Sequence, residues 1–239
     1  MGRLRILHET HYDYDHPVGF GPQRLMIRPR DSHALRIVQA SLRLFPQGAT
    51  RWSYDANGNC VCIFQPSEGA NAMRVVSELV IDRYPAPLAL QRAEDPHTLT
   101  PIVYSREDRA TLEPFIAPVT DDPDAELLRW LRNLPACRDE PALAFLLRVN
   151  ELIHQQFDYV TRQEEGVQSP VETLRKQSGA CRDLAWLMVE GLRRLGYAAL
   201  FATGYIHSPG AQIRGAGATH AWCEVFLPDL GWLEFDPTN

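Results

Sequence analysis

The sequence predicts an α+β protein in which a β-rich N-terminal part is followed by a part that is first helical and then β-stranded. Three observations support this prediction. Short runs of alternating apolar and polar residues fill the first 84 positions. Apolar residues then recur at helical spacing between residues 124 and 195, and alternating runs return after Gly196. A period of two is typical of half-buried strands, and a period of 3.6 is typical of amphipathic helices.

Residues 1–84 are predicted to form an antiparallel, β-sandwich-like domain. The stretches RLRILHETHYDY, LRIVQASLRLF and MRVVSELVIDRY carry β-branched, aromatic and apolar residues in short alternating runs. Asn57-Gly58 lies between two further runs of this kind, and this dipeptide is typical of a two-residue type I′ hairpin turn. Short strands joined by tight turns favour two packed antiparallel sheets or a barrel.

Residues 85–123 are predicted to form a proline-rich connecting segment with little regular structure. Proline lacks a backbone N–H, and it disfavours a helical conformation in the residue before it. The segment holds seven of the 18 prolines of the chain, namely Pro85, Pro87, Pro96, Pro101, Pro114, Pro118 and Pro123.

Residues 124–239 are predicted to form a second domain of four helices followed by three strands. Ser169-Pro170-Val171-Glu172 is a capping box that starts the third helix. The fourth begins near Cys181 and ends at Gly196, a residue suited to a helix C-terminus. The residues expected on the apolar faces of the first two helices are Leu127, Leu128, Leu131 and Leu134, and then Leu143, Leu146, Leu147, Asn150 and Ile153. The strands are YAALFATGYI, HAWCEVFLP and WLEFDP.

The composition is that of an ordinary globular protein, with 45% hydrophobic and 23% charged residues. A formal net charge of −6 argues against nucleic acid or an anionic membrane surface as a partner. No apolar run has the length of a transmembrane helix. The first residues lack the apolar core of a signal peptide, so we expect a cytoplasmic protein.

The five cysteines, an odd number scattered over the chain, argue against a disulfide framework. Cys60 and Cys62 would share one strand face, but no further Cys or His lies near them at metal-binding spacing. His8 and His11 would lie on opposite faces of a strand. We therefore expect no metal and no cofactor.

Cys181 is the residue that most directly indicates chemistry. It stands at the start of the predicted fourth helix and is followed by the apolar stripe Leu184, Ala185, Met188, Leu192 and Leu195. The first turn of a helix has free N–H groups and a positive dipole end, which stabilise a thiolate and lower the pKa of the thiol. A lone cysteine is nevertheless more often an unreactive buried residue, and catalysis requires a base and an orienting acid nearby.

Downstream, His220 begins one predicted strand and Asp236 ends the next. Together with Cys181, they occur in the stretches GACRDLAWLMVEGLRRLG, THAWCEVF and GWLEFDPTN. These stretches resemble, in order, the three catalytic blocks of the bacterial transglutaminase-like superfamily, whose members are often described as cysteine proteases. The N-terminal stretch RLRILHETHYDYDHPVGFGPQRLMIRPR is similar to the β-rich domain that precedes the catalytic core in that family. The resemblance therefore covers nearly the whole chain.

The resemblance implies a papain-like core in which a helix carrying the nucleophile packs on an antiparallel sheet. It implies that Cys181 is the nucleophile, that His220 is the general base and acid, and that Asp236 orients the imidazole. Members of the family usually continue beyond the sequence DPTN. The catalytic core, residues 124–239, is therefore expected to be either truncated at its C-terminus or a short natural form of the family.

The strand spacing gives this interpretation a geometric test. If residues 227–231 form the loop between the last two strands, Trp222 lies opposite Asp236 and Asp236 falls on the same face as His220, within reach of its side chain. A loop one residue shorter would place the two on opposite faces. The same register puts Glu224 opposite Glu234, a like-charge pair that a β-bulge would remove.

Further residues near the predicted nucleophile are candidates for contact with the substrate. The backbone N–H of Cys181 is a natural donor to an oxyanion. Tyr159 and Trp222 are additional candidates for the oxyanion or for substrate contact, with a structural role as the alternative for both. Asp183 is expected to complement the helix dipole rather than to act in catalysis. Arg182 is expected to lie at the surface.

From these residues we expect acyl transfer on amide bonds through a thioester on Cys181. Hydrolysis of a peptide, isopeptide or other amide bond is favoured, because water is the default acceptor in an open cleft. The expected partner is a peptide, protein or small amide substrate. Transfer to an amine, as in a transglutaminase, is one alternative. A non-catalytic binding or scaffold module is the other, but such modules normally lose one of the three residues, and this chain retains them all.

Overall fold

The computed structural model describes residues 2–84, 98–133, 140–207 and 219–239. These residues form helices and mostly antiparallel sheets, which confirms the predicted α+β class. The chain divides into two compact units, Met1–Leu88 and Ala89–Asn239.

The described residues of the N-terminal unit form strands arranged in two antiparallel sheets. The strands are β1 (Gly2–Val18), β2 (Gln23–Arg28), β3 (Leu35–Phe45), β4 (Gly48–Tyr54), β5 (Cys60–Pro66) and β6 (Ala70–Arg83). One sheet has the order β1-β6-β3, and the other has the order β2-β5-β4.

Alternation along β6 shows which face of its sheet is buried. The buried residues along one side of this strand are Met73, Val75, Ser77, Leu79 and Ile81. On the other sheet, Cys62 and Phe64 of β5 are fully buried. Residues of both sheets line a cavity of about 60 Å³, among them Ile27 and Leu79. The apolar faces of the two sheets are therefore turned toward each other.

The hairpin predicted at Asn57-Gly58 joins β4 to β5, but the predicted type I′ turn is wrong. The loop spans residues 55–59. Gly58 has a positive φ of 75°, whereas Asn57 does not, and a type I′ turn needs a positive φ at both. The Asp55 carboxylate accepts hydrogen bonds from the N–H groups of Asn57 (3.0 Å) and Asn59 (2.8 Å). This local bonding favours the longer loop.

The second unit has helices on a three-stranded antiparallel sheet. Its helices are α1 (Arg106–Ile116), α2 (Glu126–Arg132), α3 (Ala142–Gln156), α4 (Pro170–Lys176) and α5 (Cys181–Arg194). Its strands are β7 (Asp158–Tyr159), β8 (Ser178–Gly179), β9 (Ala199–Tyr205), β10 (Thr219–Leu227) and β11 (Gly231–Phe235). The sheet order is β11-β10-β9, and β7 pairs with β8 in parallel. As predicted, the Ser169 hydroxyl caps α4, accepting from the N–H of Glu172 at 3.1 Å.

The prediction that residues 85–123 hold little regular structure is wrong at α1. The Ser105 hydroxyl caps this helix by accepting a hydrogen bond from the N–H of Asp108 at 3.0 Å. Leu112 is buried and anchors the helix to the unit. A capped start and a buried apolar face therefore outweigh the proline content here. Residues 85–97 lie outside the described residues.

Helix α5 lies at the centre of the core of the second unit. The predicted stripe is confirmed at its first four positions, which are buried, and Leu195 is partly buried. Leu187 and Val189, outside the stripe, are also fully buried. The helix packs on β9 and β10 and also contacts α3 and α4. Gly196 has a φ of 87° and follows the helix end, as its predicted C-terminal position requires.

The apolar faces of α2 and α3 follow the prediction in part. Leu127 of α2 is fully buried, whereas Leu134 lies outside the described residues. The prediction is wrong at Leu147 of α3, which is 55% exposed. Phe145 is buried instead, because its ring stacks on Tyr197 with centroids 5.9 Å apart.

Replacing Gly58 by alanine should lower the free energy of unfolding of the N-terminal unit by about 1 kcal/mol, because left-handed backbone is strained for a residue with a Cβ. Chemical denaturation followed by circular dichroism measures this change. Gly21→Ala is the matched control, since a Cβ at Gly21 meets no atom within 4 Å and its φ is not left-handed. Equal stabilities of the two variants would contradict the turn geometry.

Candidate active site

Cys181 is the first residue of α5 and is half-buried. The carbonyl of Ala180 accepts hydrogen bonds from the N–H groups of Asp183 (2.9 Å) and Leu184 (3.1 Å), so it points into the helix. Because a trans peptide is planar with its N–H opposite its C=O, the N–H of Cys181 points out of the helix start. The first N–H groups of a helix have no partner within it. The start of α5 therefore offers both a thiol and a backbone donor.

His220 lies on β10 and is 2% exposed. Its Nε2 is 2.8 Å from Oδ2 of Asp236, which directly follows β11. The structure thus brings together the second and third of the predicted site residues.

The strand register explains this contact. Phe226 pairs with Trp232 and Cys223 with Phe235. This is the register predicted for a loop over residues 227–231, and it confirms that Asp236 falls on the face of His220. The ladder runs one pair further than predicted, to Leu227 opposite Gly231.

The hairpin has no β-bulge, and Glu224 and Glu234 lie directly opposite each other with no register shift between the strands. Glu234 is exposed and Glu224 is only partly buried. Solvent around Glu234 weakens the repulsion between the two carboxylates enough for the pairing to persist.

Asp236 is held by the residues that follow it. Its Oδ1 accepts a hydrogen bond from the N–H of Thr238 (3.0 Å), and its Oδ2 accepts one from the side chain of Asn239 (3.0 Å). The carbonyl of Thr238 lies 3.1 Å from Nδ1 of His154 on α3. The short segment after β11 therefore fixes the carboxylate in place.

The remaining ring nitrogen of His220 faces Cys181. Nδ1 is buried and, within the described residues, has no partner at normal hydrogen-bond geometry. The thiol of Cys181 is nevertheless close enough to His220 to change the pKa of both groups. Since Nε2 is taken by Asp236, Nδ1 is the atom turned to the sulfur. Hydrogen bonds between catalytic groups often form fully only when substrate is bound.

The pKa of Cys181 is lowered and the pKa of His220 is raised, so both groups are shifted toward their charged forms. Burial raises the pKa of the Cys181 thiol and lowers that of His220. The contact between the two groups, the Asp236 carboxylate, and the backbone N–H groups of Ala221 and Arg182 oppose burial and prevail. The pKa of Cys181 therefore lies below its ordinary value, and the pKa of His220 is raised to about 9. These directions favour a thiolate beside an imidazolium near neutral pH.

Trp222 is packed beside His220. The two rings are nearly parallel, with centroids 6.4 Å apart and an interplanar angle of 24°. Trp222 also lies over Gly204 of β9, where a Cβ would stand 2.7 Å from Cη2 of the indole. Gly204 was not among the predicted site residues, although a glycine inside a strand often marks such a close approach.

Tyr159, the other additional candidate, is placed by its backbone. It pairs with Gly179, two residues before Cys181, in the short parallel ladder of β7 and β8. Its hydroxyl makes no hydrogen bond within the described residues. A role for Tyr159 in contact with substrate stays a prediction.

Two charged residues after Cys181 have partners that the sequence analysis missed. Asp183 is fully buried and pairs with Arg162 at 2.7 Å. Arg182 is partly buried, and its guanidinium donates to the carbonyls of Gly166 (2.8 Å) and Glu164 (2.8 Å). The loop that contains Glu164 and Gly166 has no periodic pattern in the sequence. Its contacts with Arg162 and Arg182 therefore could not be predicted from periodicity.

Among the described residues, no group of three or more His, Cys, Asp or Glu side chains is arranged to hold a metal ion. None of the helices in these ranges is long and apolar enough to cross a membrane.

Two family models match the chain. Residues 4–82 match the bacterial transglutaminase-like N-terminal region. Residues 135–237, which contain Cys181, His220 and Asp236, match the transglutaminase-like superfamily. Residues 135–237 belong to the transglutaminase-like superfamily.

Curated relatives of this transglutaminase-like chain include the uncharacterized protein Rv2569c of Mycobacterium tuberculosis, which is 29% identical over 99% of this chain and 79% of its own length. The uncharacterized protein ML0607 of Mycobacterium leprae is 23% identical over 100% of this chain and 84% of its own length. Among solved structures, the "Putative Cysteine Protease" from Cytophaga hutchinsonii has a TM-score of 0.74 at 17% identity, covering 99% of this chain and 76% of that chain. This likeness shows a shared fold.

Replacing Gly204 by alanine in this transglutaminase-like core should lower the free energy of unfolding by about 1–3 kcal/mol, because the new methyl group overlaps the indole of Trp222. In a Trp222→Phe background the loss should be smaller, since phenylalanine lacks the overlapping ring atoms. Chemical denaturation of the four proteins gives the coupling between the two sites. An equal loss in both backgrounds would show that the two residues do not contact each other.

Proposed function

We propose that this protein is an enzyme that cleaves amide bonds by acyl transfer to Cys181, with water as the final acceptor. The observation that carries the proposal is the hydrogen bond between His220 Nε2 and Asp236 Oδ2, which leaves buried Nδ1 for the thiol of Cys181 at the start of α5. Nucleophile, base and orienting acid in this order are the groups that thiol-dependent acyl transfer requires. The proposed substrates are peptides, proteins or small amides.

In the proposed first half-reaction, the Cys181 thiolate attacks the amide carbonyl carbon and forms a C–S bond, while the carbonyl oxygen becomes an oxyanion. The imidazolium of His220 then gives its Nδ1 proton to the amide nitrogen. The C–N bond breaks, and the amine leaves from a thioester on Cys181. Asp236 holds the ring through Nε2 and stabilises its positive charge during this step.

In the second half-reaction, neutral His220 takes a proton from water, and the resulting hydroxide adds to the thioester carbonyl. The C–S bond breaks, a carboxylic acid leaves, and the thiolate–imidazolium pair is restored. The N–H of Cys181 supports both oxyanions, because it points out of the start of α5. Trp222 Nε1 is buried without a partner among the described residues, and with Tyr159 it stays a further candidate for contact with substrate.

Two other outcomes use the same arrangement of residues. An amine in place of water would resolve the thioester as a transglutaminase does. A binding or scaffold module would leave the thiol unused. The paired pKa shifts of Cys181 and His220 favour an enzyme over such a module, since a module has no need for an activated thiolate. The cytoplasmic location expected from the sequence stays a prediction.

Alkylation of Cys181 by iodoacetamide, followed against pH by mass spectrometry, tests for the activated thiol. We expect a midpoint well below about 8.5, the ordinary value for cysteine, and a higher midpoint in His220→Ala. Cys223 is the internal control, because it is fully buried on the strand face opposite His220 and burial raises its pKa. A midpoint at or above about 8.5 in both proteins would favour the non-catalytic module.

The proposed mechanism predicts a bell-shaped dependence of kcat/KM on pH. Activity needs Cys181 deprotonated and His220 protonated, so it should rise through the lowered pKa of the thiol and fall as the pH passes about 9, the raised pKa of His220. Initial rates of amide cleavage between pH 4 and about 10.5 would measure both limbs. Activity that keeps rising above pH 9 would contradict a role for the imidazolium.

The final acceptor is tested by product analysis with a peptide mixture in ¹⁸O-water, with and without a fluorescent primary amine. Hydrolysis places one ¹⁸O in each new carboxylate, whereas transfer couples the amine to the acyl group. Cys181→Ala is the control and should form neither product. Coupling that exceeds hydrolysis at millimolar amine would replace hydrolysis by transamidation as the proposed activity.

A further inference from the structure

A fully buried carboxylate lies two residues after the proposed nucleophile. Asp183 is 0% exposed, and a negative charge in this position opposes formation of a thiolate on Cys181. Its oxygens accept hydrogen bonds from the N–H groups of Ala180 (2.9 Å) and Gln168 (2.8 Å) and from Nε of Arg162 (2.7 Å). The proposed mechanism uses none of these groups.

We propose that the Arg162–Asp183 ion pair positions the nucleophile, with Asp183 shaping the turn that carries Cys181 and Arg162 cancelling the charge that Asp183 brings beside it. This inference rests on the proposed function. It assigns both residues as positioning residues, because neither is placed against the reacting atoms.

The turn before Cys181 is built on the Asp183 carboxylate. A capping box has two hydrogen bonds, and Ala180, the residue before the helix, has no side-chain acceptor to make the first. The second is present, because the N–H of Ala180 donates to the Asp183 carboxylate. Gly179 allows this approach, since a Cβ there would lie 2.7 Å from Cβ of Asp183. The direction of the peptide that bears the Cys181 N–H therefore depends on Asp183.

Arg162 is held in place independently of Asp183. Its side chain is 15% exposed, and Nη2 also donates to the carbonyl of Gly166 at 3.3 Å. Arg182 donates to the same carbonyl at 2.8 Å. The guanidinium of Arg162 is thus fixed in a bidentate position on the carboxylate, a geometry that a lysine cannot reproduce.

None of the described charged groups around the Arg162–Asp183 pair is placed to neutralise Asp183 in the absence of Arg162. Glu164 and Glu172 act on Arg162 and carry the same sign as Asp183. Lys176 is paired with Glu172 at 2.7 Å. On the side of the nucleophile, the other charged groups are His220, which acts on Cys181, and Asp236, which pairs with His220. Burial raises the pKa of Asp183, but its bonds to Arg162 and to the backbone prevail and lower it, so the carboxylate stays ionised.

The test is the pH profile of Cys181 alkylation in Arg162→Gln and in the double variant Arg162→Gln/Asp183→Asn. In the single variant, the uncompensated carboxylate should raise the alkylation midpoint by about one pH unit and slow labelling at pH 6.5 about tenfold. In the double variant the charge is gone, so the midpoint should return most of the way to the wild-type value. A purely structural role predicts the opposite order, with the double variant the more impaired.

Arg175→Gln is the matched control, because Arg175 forms an exposed ion pair with Glu126 in the same unit. It should leave the midpoint unchanged. Arg162→Lys is the second variant, and it keeps the charge if Arg162→Gln does not fold. It should retain the wild-type midpoint while losing thermal stability.

An unchanged midpoint in folded Arg162→Gln would overturn the inference. A raised midpoint in Arg162→Lys, or a double variant no better than the single, would overturn it equally. Failure of the proposed function has a different signature, since the wild-type midpoint itself would then lie at or above about 8.5.

Discussion

The candidate active site depends on the burial of α5 along its length. Leu184, Leu187, Met188 and Leu192 are at most 1% exposed and pack into the core with residues of β9 and β10. A helix enclosed in this way cannot shift without opening cavities, which cost several kcal/mol each. The position of its first residue relative to His220 is therefore set by the core packing. The contact between thiol and imidazole is a consequence of that packing and does not depend on a strong bond of its own.

Burial of the whole helix also places charged side chains inside the protein, where each needs a partner. Asp183 takes Arg162 and two backbone N–H groups. Glu190, fully buried two turns later, accepts from the N–H of Thr120 at 3.0 Å and from Arg194 at 2.9 Å. Both carboxylates thereby fasten a loop to the helix. The loops that contain Gln168 and Thr120 are held against α5 because their backbone N–H groups bind these two buried carboxylates.

The sequence was sufficient for the parts of the site that depend on periodicity and counting. The stripe behind Cys181 follows from a period of 3.6, and the meeting of His220 with Asp236 follows from a period of two and a counted loop. Arg162 and Gly204 could not be found in this way, because the partner of each is brought near by tertiary packing. The same holds for α1, whose capped start stands in a proline-rich segment, and for the turn shaped by Asp55.

Cys181 and Cys223 show why one thiol of this fold is suited to chemistry and the other is not. Burial raises the pKa of both. Cys223 has only weak opposing influences and remains a neutral core residue, whereas Cys181 has His220 and two backbone N–H groups that reverse the effect. Burial also disfavours the imidazolium, and the Asp236 carboxylate first and the Cys181 thiol second oppose that effect. The thiolate therefore depends on His220, whereas the imidazolium depends on both Asp236 and Cys181.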